Sequence, residues 1–308
     1  VRAARSGGAM ISPALGMLFG LLNTSAIHVA KSMQRHGINT LRWRSLSREE
    51  RSGKHAVIYL VGVVVNNTSS VWLILANRFA APAYATGMFG LGLVLLLFYS
   101  SVVLGERVHW VNYVGAVLVV VGTAAFSLHA IGGSQVQAML DPRAVALFCA
   151  LYFLPVGALV FLGVRTGRRH LMGFSFGLMT GSMASIDPVL KSIGQTAGGA
   201  ASILPAVSWG WIPFVLSFPL GIGAFFLSQY AFYRGATASD TVSAHSSLYV
   251  LLPVVVQIVA LPGYRVTPVL IIGIAAIVTG IGLMQRRRAP VEIPDTEAAE
   301  SQVPEAES

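Results

Sequence analysis

Residues 14–25 read ALGMLFGLLNTS, and residues 171–182 read LMGFSFGLMTGS. Five of the twelve aligned positions are identical, and the two segments lie 157 residues apart. A second pair of segments shares its glycine, arginine and valine spacing at an offset of 158 residues. There Gly105, Arg107, Val108, Val111, Gly115, Val120 and Gly122 recur as Gly263, Arg265, Val266, Val269, Gly273, Val278 and Gly280. Because all four segments are apolar, the pattern predicts a membrane protein that contains two copies of one helical unit.

The composition indicates the same class of protein. Hydrophobic residues make up 55% of the chain and charged residues only 11%, whereas soluble domains carry about 25% charged residues. The single cysteine, Cys149, excludes an intrachain disulfide. The net charge of +9 does not indicate nucleic acid as a partner, because the basic residues lie in short segments between apolar runs, where they orient membrane helices.

Nine apolar runs are long enough to cross a bilayer, which takes about 20 helical residues. Only helices satisfy all backbone hydrogen bonds within lipid, so the predicted fold class is all-α with nine transmembrane helices. The predicted helices cover residues 10–30, 56–76, 80–104, 110–131, 143–164, 170–193, 209–233, 241–262 and 267–285.

The distribution of lysine and arginine predicts the orientation of these helices. With nine helices, fifteen basic residues fall on one side of the membrane and five on the other. The positive-inside rule then places the N-terminus outside and the C-terminus in the cytoplasm. The predicted location is the inner or plasma membrane of the cell. Residues 289–308 are predicted to be a disordered acidic tail on the cytoplasmic side.

This orientation turns the duplication into an inverted repeat. One transmembrane domain, residues 1–288, is predicted to contain repeat A (10–131), a linker helix (143–164) and repeat B (170–285). Inverted repeats with a site between them are typical of secondary transporters. The pairs Gly16/Gly20, Gly173/Gly177 and Gly177/Gly181 have the spacing that lets helices approach closely.

Several short motifs resemble the drug/metabolite transporter superfamily. They are a first helix followed by a long basic loop, Asn66 and Asn67 in the second helix, and Leu104-Gly105-Glu106-Arg107 after the third. With Gly115/Gly122 and Leu190-Lys191-Ser192-Ile193-Gly194, they are most similar to its EamA-like members and, among these, to the nine-helix NIPA magnesium-transporter-like branch. The resemblance covers about residues 12–286 and implies a multi-pass transporter, with magnesium as one implied substrate.

Charged residues within a bilayer are costly, so each one is a candidate functional group. Asp187 and Lys191 stand four residues apart on one helix face, within reach of an ion pair. Pro188 beside them is expected to kink the helix and free a carbonyl. We interpret Asp187 and Lys191 as coupling residues, with an ion pair at the membrane interface as the alternative. Structural roles are favoured for Asp240 (helix N-cap), Glu106 (turn) and His28 (helix–helix hydrogen bond).

Uncharged polar residues near the helix centres are predicted to line a substrate cavity. Asn66 and Asn67 are the strongest candidates, because two adjacent amides are difficult to hide within one helix. Hydrogen bonds that hold helices together are the alternative role. The predicted substrate-binding residues are Asn23, Ser25, Asn66, Asn67, Ser182, Ser185, Asp187 and Tyr249.

The residues leave several functions open. We expect a secondary transporter of a small polar metabolite or cation, with membrane lipids as partners, no cofactor and no nucleic acid. A magnesium transporter and a lipid-handling protein without solute flux are the alternatives, and neither a metal site nor a homodimer is decided. Enzymatic activity is not expected, because the chain contains no HExxH or GxSxG motif and no paired intramembrane acids.

Overall fold

The structure, a computed structural model, describes residues 13–37, 53–102, 109–132, 140–199, 201–234, 236, 238–261 and 263–285. These residues form eleven α-helices and one 3-10 turn, and no β-strand occurs among them, which confirms the all-α class for this part of the chain. The helices are α1 (Pro13–Gly37), α2 (Gly53–Asn67), α3 (Ser69–Phe79), α4 (Pro82–Gly87), α5 (Phe89–Val102), α6 (Trp110–Gly132), α7 (Pro142–Thr166), α8 (Arg169–Thr196), α9 (Trp211–Tyr233), α10 (Ala238–Ala260) and α11 (Pro268–Gln285), with the 3-10 turn Ser208–Gly210 before α9.

The described residues of all nine predicted segments are mainly helical, but two segments are divided. Segment 56–76 forms α2 and α3, which are separated at Thr68. The Thr68 hydroxyl donates to the carbonyl oxygen of Val65 at 2.7 Å, a local bond that competes with the helical pattern. Segment 80–104 forms α4 and α5, which are separated at Met88.

Among the described residues, six helical stretches are long and apolar enough to cross a membrane, as in a membrane protein. They are Pro13–Lys31, Ala56–Phe79, Trp110–His129, Pro142–Thr166, Ser208–Ala231 and Asp240–Ala260. Pro82–Leu95 and Pro268–Met284 are shorter apolar helices. Nine spans therefore stay a prediction.

Helix α8 differs from the others because it is long, polar and buried. It has 28 residues, about 42 Å at 1.5 Å per residue, and 19 of them are buried. It packs against α3, α7, α9 and α10. These neighbouring helices shield α8 from lipid, so α8 can carry polar side chains that a lipid-facing helix could not. This explains why α8 is not among the six apolar stretches, although the sequence predicts a span at 170–193.

The most extensive helix contact joins α6 and α11 through glycines. A Cβ atom built on Gly115 would lie 2.7 Å from the carbonyl oxygen of Gly280, and one on Gly122 would lie 2.6 Å from that of Gly273. The reverse distances are 2.5 Å from Gly280 to Gly115 and 3.0 Å from Gly273 to Gly122. Residue numbers rise along one helix as they fall along the other, so α6 and α11 are antiparallel.

The glycines of α1 and α8 also mark close contacts. Cβ atoms on Gly20 and Gly177 would lie 2.6 Å from Ala85 O and 2.5 Å from Thr241 O. A Cβ atom on Gly181 would lie 2.6 Å from the carbonyl oxygen of His245. Thus α1 packs closely on α4, and α8 packs closely on the first turns of α10. The close approach predicted from the glycine spacing occurs at these positions.

Large apolar side chains cover the outer faces of the helices. Leu60 of α2, Leu154 of α7, Phe226 of α9 and Ile272 of α11 are each more than 60% exposed. Such a surface suits lipid rather than water. The basic loop after residue 37, Glu106 and the acidic tail 289–308 lie outside the described residues.

Candidate functional site: a buried ion pair on α8

Asp187 and Lys191 form an ion pair inside the helix bundle. The Lys191 ammonium donates to Oδ1 of Asp187 one helical turn away. Lys191 is 0% exposed and Asp187 is 7% exposed. Lys191 therefore does not extend to the surface, as a lysine in an interfacial pair would. Removing two opposite charges from water costs several kcal/mol per ion, which their mutual attraction must offset.

Helix α9 supplies one wall of this site. The Phe218 ring lies against Lys191, with 4.5 Å between Nζ and the ring centroid. The buried Ser217 hydroxyl donates to Phe214 O at 2.7 Å and lies beside the Asp187 carboxylate. One turn later, a Cβ atom on Gly221 would lie 3.5 Å from Oδ2 of Asp187, so the glycine faces the carboxylate. A cation held by a carboxylate and an aromatic face is a stable arrangement.

Helices α10 and α1 complete the site. Tyr249 of α10 is 4% exposed, and its hydroxyl lies within electrostatic range of the Asp187 carboxylate. Asn23 of α1 lies beside the same hydroxyl and is 1% exposed. Its Oδ1 accepts no hydrogen bond from the described residues. The structure thus brings together Asn23, Asp187, Lys191 and Tyr249, four of the predicted site residues.

Asn77 of α3 is a buried contact of this site that the sequence analysis does not identify. Its Nδ2 donates to the carbonyl oxygen of Pro188 at 2.9 Å. The carbonyl group of Pro188 thus links α8 to α3. Helix α8 continues through Pro188 as one helix. One feature of the sequence could have indicated Asn77: it directly follows the predicted helix 56–76. An unpaired amide costs more free energy at such a position than in a loop.

The end of α8 beyond Lys191 is tied to the following loop. Gln195 donates from Nε2 to Ile74 O at 2.9 Å and to Ser202 O and Ile203 O at 3.1 Å. Arg78 donates from Nη1 to Ala201 O at 2.6 Å. Asp187, Lys191 and Gln195 follow one another at four-residue intervals, so they share one face of α8.

A second polar group lies between α1, α8 and α10. His28 contacts Thr24 O through Nδ1 at 2.7 Å, and Thr24 donates to Phe89 O at 3.1 Å. His245 Nδ1 lies 3.1 Å from Oγ1 of Thr180. The contacts of His28 with Thr24 stay within α1, and its ring packs on that of Phe89 in α5 with 4.9 Å between centroids, so the predicted helix–helix hydrogen bond stays a prediction.

The other predicted substrate residues are placed differently. Asn67 is exposed and donates to Val63 O of its own helix at 2.7 Å, and Asn66 is partly buried. Ser185 donates to Ser182 O at 2.9 Å. The Ser182 hydroxyl donates to Leu178 O at 2.6 Å and lies 2.9 Å from the Tyr152 hydroxyl of α7. Ser25 of α1 is partly buried. The serines of α8 thus bond within α8 and to α7, as expected for residues that hold helices together.

Asp240 does not have the predicted N-cap position. It lies within the first turn of α10, which begins at Ala238. Its Oδ2 is 2.7 Å from Nδ1 of His170, near the start of α8. The His170 side chain is 87% exposed, so water screens this contact.

The described residues contain no group of three histidine, cysteine, aspartate or glutamate side chains that could hold a metal ion. The Asp187 carboxylate is already neutralised by Lys191, which leaves the site with no excess negative charge for a divalent cation. Searches of protein-family models, of curated proteins and of solved structures find no match to this chain.

Proposed function

We propose that the chain is a secondary transporter that moves a small polar solute by alternating access between two inverted halves. The observation that carries this proposal is the buried Asp187–Lys191 pair of α8, enclosed by polar or aromatic side chains of α1, α9 and α10. Buried charges are expensive and do not stabilise a fold better than apolar packing does. Within membrane proteins, charges in such positions usually act on a substrate or ion.

The glycine contacts support the inverted arrangement. The sequence repeat relates Gly115 to Gly273 and Gly122 to Gly280 at one offset. Applying this exchange to the contact between Gly115 and Gly280 gives the contact between Gly273 and Gly122, which is also present. A two-fold axis between α6 and α11 would produce this reciprocity. The paired contacts of α1 with α4 and of α8 with α10 fit the same axis.

Transport of this kind is what the resemblance to the drug/metabolite transporter superfamily implies. In the proposed mechanism, the solute replaces part of the hydrogen bonding around Asp187, and the two halves then rock about the α6–α11 contact. The N-terminus lies outside and the C-terminus in the cytoplasm. Magnesium is a less suitable cargo, because it needs several hard oxygen ligands and Asp187 is shared with a lysine.

Uptake into proteoliposomes tests the proposal. A panel of labelled amines, amino acids, sugars and divalent cations is offered with an imposed pH gradient. We expect at least one solute to accumulate above the level of protein-free liposomes and Asp187→Asn to abolish this accumulation. Asp240→Asn, which changes the partly exposed carboxylate beside His170, is the control and should retain uptake. Accumulation that is unchanged in Asp187→Asn at every pH would exclude the carboxylate from transport.

A further inference from the structure

An ammonium group already occupies the site, and it belongs to the chain itself. The Lys191 ammonium lies between the Asp187 carboxylate and the face of the Phe218 ring. It is completely shielded from solvent. Carboxylates and aromatic faces are the two groups with which proteins recognise alkylammonium ions. The site is thus built for the kind of cation that a lysine side chain carries.

We infer that the site around Asp187 takes an organic ammonium ion, a primary or N-alkylated amine in its protonated form, which replaces the Lys191 ammonium. The inference rests on the proposed transport function and names the substrate class of that site. Lys191 then acts as a tethered competitor, which holds the carboxylate neutral while no cargo is bound. Because a second buried positive charge is costly, Lys191 leaves the carboxylate when the cation enters.

The surroundings of the carboxylate leave space for a carbon atom at Gly221 and offer a further contact. Gly221 has no side chain on the α9 side of Asp187, where a Cβ atom would be in van der Waals contact with Oδ2. The Oδ1 of Asn23, which accepts no hydrogen bond from the described residues, belongs to a side chain that lies beside the Tyr249 hydroxyl. An N–H group of the cargo can donate to Asn23 while its charge stays near Asp187. A buried acceptor that lacks a donor is costly, and a ligand that donates to it would remove this cost.

A divalent metal ion does not fit these groups. Magnesium requires near-octahedral oxygen coordination and keeps much of its hydration shell. Here the wall opposite the carboxylate is the hydrocarbon face of Phe218, which attracts a weakly hydrated organic cation. The same wall would contact an alkyl part of the cargo.

Binding of n-butylammonium, which copies the end of a lysine side chain, tests the inference on the full chain in detergent. Isothermal titration is performed on the wild-type protein and on Lys191→Met, with n-butanol and magnesium chloride as uncharged and divalent controls. We expect Lys191→Met to bind n-butylammonium roughly tenfold more tightly than the wild type, because the competitor is removed. Neither control compound should bind, and Lys191→Arg, which keeps a tethered cation, should resemble the wild type.

Two variants with the ion pair intact cover the case in which Lys191→Met does not fold. Asn23→Ala removes an acceptor that Lys191 does not use, and Gly221→Leu fills the space beside the carboxylate. Both should weaken n-butylammonium binding to an otherwise wild-type chain several-fold, whereas Gly282→Ala, a change at an open position of α11, should not. A wild-type protein that does not bind n-butylammonium, or that binds it equally well after either substitution, overturns the inference.

Flux measurements separate this inference from the proposed function. If the protein takes up sugars or amino acids but does not bind n-butylammonium, the proposed transport function stands and the proposed ammonium site is excluded. If the protein binds n-butylammonium but takes up no solute, the proposed ammonium site stands and the proposed transport function is excluded.

Discussion

Gly115 of α6 and Gly280 of α11 face each other so closely that a Cβ atom on either residue would lie within 2.7 Å of the other's carbonyl oxygen. Gly122, seven residues later on α6, and Gly273, seven residues earlier on α11, make a similar contact at 2.6 and 3.0 Å. Backbones can approach in this way only without side chains, and such contacts give membrane helices much of their attraction. The contact joins the two predicted repeats directly.

Replacement of Gly280 by alanine should therefore destabilise the protein. The added methyl group meets backbone atoms of α6, and overpacking of this kind costs about 1–3 kcal/mol. Gly282→Ala on the same helix is the matched control, because its Cβ atom meets nothing within 4 Å. Thermal unfolding in detergent should show a lower Tm for Gly280→Ala and an equal or higher Tm for Gly282→Ala. Equal effects at the two positions would contradict close packing of α6 and α11.

The ion pair predicts non-additive stability changes. Removing one buried partner leaves an uncompensated charge, which costs about 3–5 kcal/mol. Lys191→Met and Asp187→Leu should each lower stability strongly, while the double variant should recover much of the loss. His170→Ala, at the exposed end of α8, serves as the reference and should change little. Additive losses in a double-mutant cycle would show that the two side chains do not interact.

Replacement of Asn77 should affect stability much more than replacement of Asn67, although Asn67 lies within the predicted helix 56–76 and Asn77 directly follows it. Asn77 is fully buried and donates to Pro188 O, so Asn77→Leu should cost about 1–2 kcal/mol. Asn67 is exposed and bonds its own helix, so Asn67→Leu should change stability by less than about 0.5 kcal/mol. Denaturant unfolding of the two variants measures the difference. A larger effect at Asn67 would restore the sequence-based view of that residue.

Asn23 should contribute to solute affinity more than Asn67 does. Loss of one hydrogen bond to the cargo corresponds to roughly tenfold weaker binding. Asn23→Ala should raise the apparent KM of uptake by about this factor, and Asn67→Ala should leave it unchanged. Saturation kinetics in proteoliposomes provide both values. If only Asn67→Ala altered KM, the cargo would lie near α2 rather than near Asp187.

Labelling of single cysteines tests the inverted topology. Cys149 is the only native cysteine, so a Cys149→Ser protein provides a clean background. A membrane-impermeant maleimide applied to intact cells should label Ala206→Cys and Val266→Cys from outside. His109→Cys and Arg168→Cys, which are equally exposed, should react only after the cells are opened. Labelling of all four positions from one side would exclude the proposed arrangement.

The helix positions follow closely from the sequence, because each depends on local properties. An apolar run of about 20 residues has few alternatives to a helix in lipid. Asp187 and Lys191 were expected on one face for an equally local reason, the 3.6-residue turn. The breaks at Thr68 and Met88 were not expected, because a small interruption hardly alters the apolar pattern.

The contacts of the candidate site depend on tertiary structure instead. Phe218 follows Lys191 by 27 residues, and Asn77 precedes Pro188 by 111, so no local rule relates them. The expectation for Asn66 and Asn67 relied on depth in a helix, but the direction in which a side chain points depends on the neighbouring helices. Asn67 points outward, while Asn23 and Asn77 are buried.

The sequence by itself determined that this chain is a helical membrane protein, where its helices run, and which two charged residues share a face. These properties depend on the free energy of placing each segment in lipid and on helix geometry, which act over a few turns. Only the tertiary structure decided that α8 is buried among its neighbours and that Lys191 lies between Asp187 and Phe218. Packing brings together residues that are distant in the chain, and it depends on the shapes of all the helices at once.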